Sequence, residues 1–345
     1  LSSEAKLVRV LDGSTEKVPP VWLMRQAGRY LPEYRELRAK AGSFWALALT
    51  PHYAAEVTLQ PVRRFGFDAA ILFSDILTVP EALGQKVTFT EGEGPSLKPV
   101  TTARGFVEDR EAWARYFKPV YEALRLTRAG LPQGTALLGF AGAPWTLATY
   151  LAAGAGGDEQ KAAKLWAYRD PEGFGYLLDI LGDCVAFHLI RQLYAGADAV
   201  QIFDSWASGL SDQEFEDWAI KPTARITELV RKHVPHARII GFPRGMEPRM
   251  ADRFQRATQM NGISVGTHTS LTAMWSSFHI PPMALQGNLD PEVLVRGGEE
   301  MRRAVERILD QMQDKSLIFN LGHGILQQTP IAHVEELLKI IRGRG

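Results

Sequence analysis

Eight short apolar runs, each ending in small or polar residues and each separated from the next by a helical pattern, constrain this chain more than any other feature. They are VWLMRQ (21–26), DAAILFSD (68–75), ALLGFAGA (136–143), AVQIFDS (199–205), RIIGFPRG (238–245), GISVGT (262–267), MALQGNLD (283–290) and LIFNLGHG (317–324). Most are nearly continuous in apolar character, as parallel strands covered on both faces have to be. The gaps hold amphipathic stretches such as DPEGFGYLLDILGDCVAFHLIRQLY and SDQEFEDWAIKPTARITELVRKH, with Ser or Asp placed to cap them. This alternation over 345 residues predicts an α/β fold, one (β/α)8 TIM barrel spanning 1–345, in preference to two doubly wound domains. No Pro-, Gly- or Ser-rich linker breaks it, and no repeat is visible. Between the second and third runs, KVTFT followed by EGEGPS predicts a β-hairpin inserted above the barrel.

The chain balances 39 Lys and Arg against 39 Asp and Glu, so it has no overall basic field to gather nucleic acid or an anionic membrane. An anionic ligand has to be met by local arginines. The single cysteine, Cys184, excludes an internal disulfide framework and a zinc site of several thiolates; within a helical pattern it reads as an inert packing residue. No apolar signal-peptide core opens the sequence and no stretch of about 18 uninterrupted apolar residues occurs, which leads to the expectation of a cytoplasmic protein.

A barrel of this kind places its chemistry where strands end. The endings here are polar: Arg25, Gln26 and Arg29 after run one, Ser74 and Asp75 at run two, Asp204 and Ser205 at four, Arg244 at five, Asn288 and Asp290 at seven, Asn320 and His323 at eight. Asp290, before Pro291, reads as a helix cap, whereas Asp204 is open to either reading. No HExxH and no paired His and Cys occur, so no metal is expected; His188, His233 and His333 fall in helical patterns and read as surface or packing residues.

The stretches MRQAGRYLPEYRELR, LQPVRRFGFDAAILFSDIL, GFAGAPWTLATY, IFDSWA, QGNLDP and NLGHGI, in this order, closely resemble the uroporphyrinogen decarboxylase family, from about Pro20 to the last helix. The resemblance implies a single barrel, a homodimer without cofactor or metal, and conversion of the four acetate arms of uroporphyrinogen III to methyls. It also implies substrate contacts at Arg25, Gln26, Ala27, Gly28, Arg29, Asp75, Tyr150, Ser205 and His323, with Asp75, Arg25 and Arg29 catalytic.

Chemistry gives these types a reason. The substrate carries eight carboxylates around four reduced pyrroles, so its pocket needs cations at the rim and a negative group at the centre. A guanidinium keeps its charge and forks onto a carboxylate; at an effective dielectric near 20 a contact at about 4 Å contributes about 4 kcal/mol before desolvation. Arg25 and Arg29, four apart, are expected on one side, with Gly28 permitting a tight bend. Arg35, Arg38 and Lys40 have a competing reading as a solvated helix face with Glu33 and Glu36. Loss of CO2 is slow unless the ring is first protonated, and a fixed carboxylate at Asp75 would stabilise that cation. The alternative, that Asp75 caps a helix starting near Ile76, is weakened by the early Pro80.

Two departures from the family pattern stand out: VGTHTS, with His268, where an Asp is usual after the sixth strand, and LAAGAGGDEQ where EGGGS is usual after the Tyr. A corrinoid-linked methyltransferase would share the barrel but needs zinc-binding cysteines that this chain lacks. A tetrapyrrole carrier that binds without reacting is a further alternative.

Overall fold

The structure, a computed structural model, describes residues 5–90, 94–156 and 160–344. Its strands are β1 (Ala69–Ile71), the short pair β2 (Val87–Thr90) and β3 (Gly94–Leu97), then β4 (Ala136–Gly142), β5 (Ala199–Asp204), β6 (Ile239–Pro243), β7 (Gly262–Ser264), β8 (Ala284–Leu289) and β9 (Leu317–Leu321). Seven of them form one parallel sheet in the order β1-β4-β5-β6-β7-β8-β9, with helices between successive strands. Strand neighbours in sequence are therefore neighbours in space, as βα alternation requires.

The first apolar run is not a strand, and this corrects the expectation. Segment 21–26 makes one parallel bridge, Val21 to Phe319 of β9. On its other side the Asp68 N–H donates to the Val21 carbonyl (2.9 Å) and the Val21 N–H to the Asp68 carboxylate (2.9 Å). The segment thus lies between the two outer strands of the sheet, but side-chain amides replace the ladder beyond Val21. Gln26, fully buried, accepts from the Leu23 N–H and donates to the Ala69 carbonyl (both 3.0 Å), while Asn320 of β9 accepts from the Met24 N–H (2.9 Å). An amide side chain presents the same donor and acceptor as a peptide group, so the backbone is satisfied while its direction is free to change.

Alternate residues of the strands face an inner cluster: Trp22, Met24, Ala69, Ala136, Leu138, Ala199, Ile240, Phe242, Ala284 and Ile318. The helix Lys6–Leu11 belongs to the same cluster through Leu7, Val8, Val10 and Leu11. The reason is legible in the strands themselves, because four of them begin with Ala (69, 136, 199, 284) and β7 begins with Gly262, where a Cβ would stand 3.1 Å from Leu11. Small residues at the strand starts leave room for the helix, which closes the N-terminal end. The opposite, C-terminal end is left for chemistry. Midway, Gln286 accepts from the Trp22 indole (3.0 Å) and donates to Gln201 (3.0 Å) and Ser264 (3.2 Å), a buried polar layer in which the Gln201 side-chain nitrogen has no partner among the described residues.

The predicted hairpin is present as antiparallel β2 and β3, Val87 opposite Leu97; its tip lies outside the described residues. It is anchored by the Trp45 indole on the Val87 carbonyl (3.0 Å), by Phe44 against Phe89 (4.4 Å between ring centres) and by the Leu97 N–H on Gly154 (2.8 Å). Helix Pro171–Tyr194 is long and apolar enough to cross a membrane, but 61% of its most apolar window is buried inside the protein. It packs on β4 and β5 and between helices Arg110–Gly130 and Lys221–His233, as a core helix does.

Candidate active site

The turn after segment 21–26 is built to hold one arginine. Arg25 itself adopts the left-handed conformation (φ 62°) that L-residues disfavour. The turn is fixed from both sides, by Gln26 N–H on Leu23 O (3.0 Å) and by Ile325 N–H on Met24 O (2.8 Å). Its side chain lies over Gly324, where a Cβ would come within 2.3 Å of Arg25 Cδ. Gly28 serves close approach more than bending, since a Cβ there would stand 3.0 Å from the Arg25 carbonyl. Ala27 and Gly28 are half-buried and Arg29 is exposed, its charge acting on Tyr34. Neither Arg25 nor Arg29 has a carboxylate partner among the described residues. Glu33, part of the competing solvated-face reading, is taken bidentately by Arg64 at the surface (2.7 and 2.9 Å).

Asp75 follows β1. One of its oxygens accepts from the Leu77 N–H (2.8 Å), and its carbonyl accepts from the Thr78 hydroxyl (2.8 Å), just ahead of helix Thr78–Ala82. That helix starts at Thr78 and not near Ile76, with Leu77 at its N-cap and no side-chain cap, so Asp75 is not its cap; Pro80 is its third residue, where the missing N–H is tolerated. Burial pushes the Asp75 carboxyl up to about 6, opposed by the Leu77 hydrogen bond and by the Arg25 charge. Arg25 and Asp75 are therefore electrostatic neighbours across the mouth. Tyr116 beyond it donates to Glu81 (2.6 Å) and feels the Asp75 charge.

Tyr150 rises from helix Pro144–Ala153, which starts directly after β4. Thr146 and Tyr150, four apart, share a face. The Thr146 hydroxyl donates to the Asp204 carboxylate (2.5 Å) and accepts from the Trp206 N–H (3.2 Å), while the Tyr150 ring meets Trp206 edge-on at 6.4 Å. Burial first, and the Asp75 charge after it, raise the Tyr150 phenol, so it stays protonated; the Arg25 charge acts on it as well. Asp204, the residue that sequence left open, points away from the inner cluster. Its second oxygen is buried without a partner, and burial pushes its carboxyl up to about 7. It secures the turn that carries half-buried Ser205.

His323 is half-buried after β9. Burial, then the charges of Arg25 and Arg244, hold it down to about 4, so it is neutral near pH 7. The Arg25 charge acts on Asp75, Tyr150 and His323, so these side chains lie around it; Ser205 stands on the neighbouring turn and Arg29 is exposed. Gln26 lies beneath with both ends of its side chain committed to backbone. Beneath them, Phe140 and Phe203 (5.6 Å between ring centres) and Ile71 are half-buried at the inward positions of β4, β5 and β1, an apolar floor. An aromatic in an apolar strand carries no signal by type, so the sequence alone does not single them out. Their inward register near strand ends was the clue.

Several other residues singled out in the sequence hold structural places. Asp290 accepts from the Glu292 N–H (2.9 Å) and caps helix Pro291–Arg296. Asn288 donates to the Gly266 and Thr269 carbonyls (2.9 and 2.7 Å), tying down the loop that carries exposed His268. His188 is buried against Phe117 (3.8 Å between ring centres) and pairs with the Tyr121 hydroxyl (3.1 Å). Cys184 is buried, and burial raises its thiol further. Among the described residues no cluster of three His, Cys, Asp or Glu is placed to hold a metal ion.

The family model for uroporphyrinogen decarboxylase matches residues 2–344. Uroporphyrinogen decarboxylases of Brucella canis and Brucella suis are 51% identical over 339 residues, covering 98% of this chain and 98% of each relative. Among solved structures, a methyltransferase from Methanosarcina mazei superposes with a TM-score of 0.80 at 19% identity over 99% of both chains. A putative vitamin-B12-independent methionine synthase from Listeria monocytogenes does so at 0.53 and 11% identity, covering 95% of both. At such identities the shared property is the fold. The chain belongs to the uroporphyrinogen decarboxylase family.

Proposed function

We propose that this chain decarboxylates uroporphyrinogen III at the C-terminal mouth of its sheet, turning four acetate arms into methyls to give coproporphyrinogen III. It does so as one barrel domain in which segment 21–26 stands in for the eighth strand, with no cofactor or metal. What supports the reading is the placement of Asp75 at the end of β1, fixed by the Leu77 N–H and within the field of Arg25, whose guanidinium has no carboxylate partner among the described residues, above an apolar floor.

The geometry serves the reaction as follows. The reduced macrocycle lies on Phe140, Phe203 and Ile71, with its pyrrole N–H groups towards Asp75. Proton uptake at a ring carbon makes the pyrrole cationic; the C–C bond to the carboxylate then breaks and its electrons flow into the ring. The exocyclic carbon takes a proton and the ring carbon gives one up, so each arm consumes one proton net. Asp75 interacts most strongly with the cationic ring, which lowers the barrier and not merely the energy of binding. Arg25 and Arg29 grip acidic arms, while Tyr150, Ser205 and neutral His323 offer hydrogen bonds. The family's homodimer and cytoplasmic setting belong to the same proposal.

The methyltransferase likeness does not favour a thiol-activating reading, because the one thiol, Cys184, is in the interior of helix Pro171–Tyr194. The test is anaerobic incubation with uroporphyrinogen III in the presence of a chelator, followed by chromatography of the oxidised products. A ladder from seven carboxylates to four is expected. Substrate that stays bound but unchanged would leave the chain a carrier.

A further inference from the structure

Arg244 stands next after β6 and is not among the residues that the family resemblance assigns to substrate. Ile240 and Phe242 of β6 belong to the inner cluster, so Arg244 continues the inward-facing series at the mouth. β6 is the fourth of seven strands, the one farthest from the space between β9 and β1 that segment 21–26 occupies. Arg25 and Arg244 therefore stand on opposite sides of one opening.

We propose that Arg244 anchors a propionate arm of the tetrapyrrole across the mouth from Arg25. The proposal rests on the function given above. Three observations carry it. Arg244 is half-buried yet makes no hydrogen bond or ion pair with its side chain among the described residues, whereas Arg128, Arg225, Arg238 and Arg249 all engage carboxylates. Its backbone is fixed by the N–H on the Asp204 carbonyl (3.1 Å) and by the tight turn at Gly245 (φ +82°), where a Cβ would strike Ser208 at 2.5 Å. Its charge is felt at His323 together with that of Arg25, although His323 follows β9, three strands away in the sheet, so the guanidinium acts into the mouth. Exposed Arg25 and half-buried Arg244 at one mouth repel until an anion enters, and a planar fork suits a carboxylate.

The choice of arm follows from the reaction. Acetates vanish one by one as the substrate is processed, while all four propionates persist through every intermediate. An anchor that serves four successive steps has to hold the arm that remains.

Equilibrium titration of wild type, Arg244→Gln and Arg244→Lys with coproporphyrinogen III, and of the same three in an Asp75→Asn background, where turnover is slow, with uroporphyrinogen III, both ligands kept reduced, tests this. Melting curves and circular dichroism establish that the variants fold. Arg244→Gln is expected to weaken both ligands by about ten-fold or more, Arg244→Lys by less, and in turnover KM rises while kcat stays within about three-fold. Weakened uroporphyrinogen but unchanged coproporphyrinogen would overturn the propionate assignment. Unchanged binding of both would overturn the anchor altogether. A wild type that binds both ligands without turnover would instead defeat the proposed function, and the titrations would still decide on Arg244.

Discussion

At the scale of single residues, the site depends on carboxylates held where water is scarce. Replacing Asp75 by Asn keeps the shape and the Leu77 hydrogen bond but removes the negative charge. The expected result is a fall in kcat of about a hundred-fold or more with KM changed by less than about three-fold; equal losses in both would show that Asp75 only binds. Asp204 makes a different prediction. Its folded value near 7 lies above the ordinary carboxylate value, so the neutral form is favoured on folding. Its contribution to stability is therefore fully present below about pH 4 and is lost as pH rises through about 7, on the order of 4 kcal/mol in all. Asp204→Asn should melt progressively higher relative to wild type as pH goes from 5 to 8, and a gap independent of pH would contradict the buried, single-partner geometry. Arg25 and Asp75 were legible by type and position in FSDIL and RQAGRY. The short helix after Asp75 was not, because whether Pro80 falls in a first turn or an interior turn depends on where the helix starts, and that is set by packing.

At the scale of elements, the turn 24–29 is held by groups from elsewhere in the sequence. Gly324 leaves the space that Arg25 Cδ fills at 2.3 Å from a would-be Cβ. Gly324→Ala should displace the guanidinium and raise KM by about ten-fold or more, while thermal stability changes far less than activity. Retained KM would show that Arg25 finds the substrate from another path. Gln26→Leu removes both backbone-mimicking bonds in a fully buried place, leaving the Leu23 N–H and the Ala69 carbonyl without partners. A loss of about 2–4 kcal/mol in chemical denaturation is expected, and a neutral substitution would mean that the segment is not held there. Sequence read this run as a strand because its apolar content matches one. It could not register that Asn320 and Gln26 supply the ladder instead of the main chain, since those contacts join residues up to 296 positions apart.

At the scale of the whole molecule, acid should act through the histidine core. His188 is pushed down to about 3 by burial, below its ordinary value, so its stabilising neutral form is fully present above about pH 6.5 and is lost as pH falls towards 3. His188→Phe should narrow the drop in melting temperature between pH 7 and pH 4; an unchanged drop would place the acid sensitivity elsewhere. The alternation of strand and helix was readable because burial on both faces forces continuous apolar runs, and parallel pairing forces helices between them. The same sequence also determined the cations, the carboxylate and the thiol-poor chemistry, which are properties of residue type. What only the tertiary structure decided is where those side chains face. The Ala and Gly strand starts admit helix Lys6–Leu11 at one end, leaving the other end open, and Phe140 and Phe203 meet on the inner side by register alone. Direction and register arise from contacts between distant strands, and no local pattern carries them.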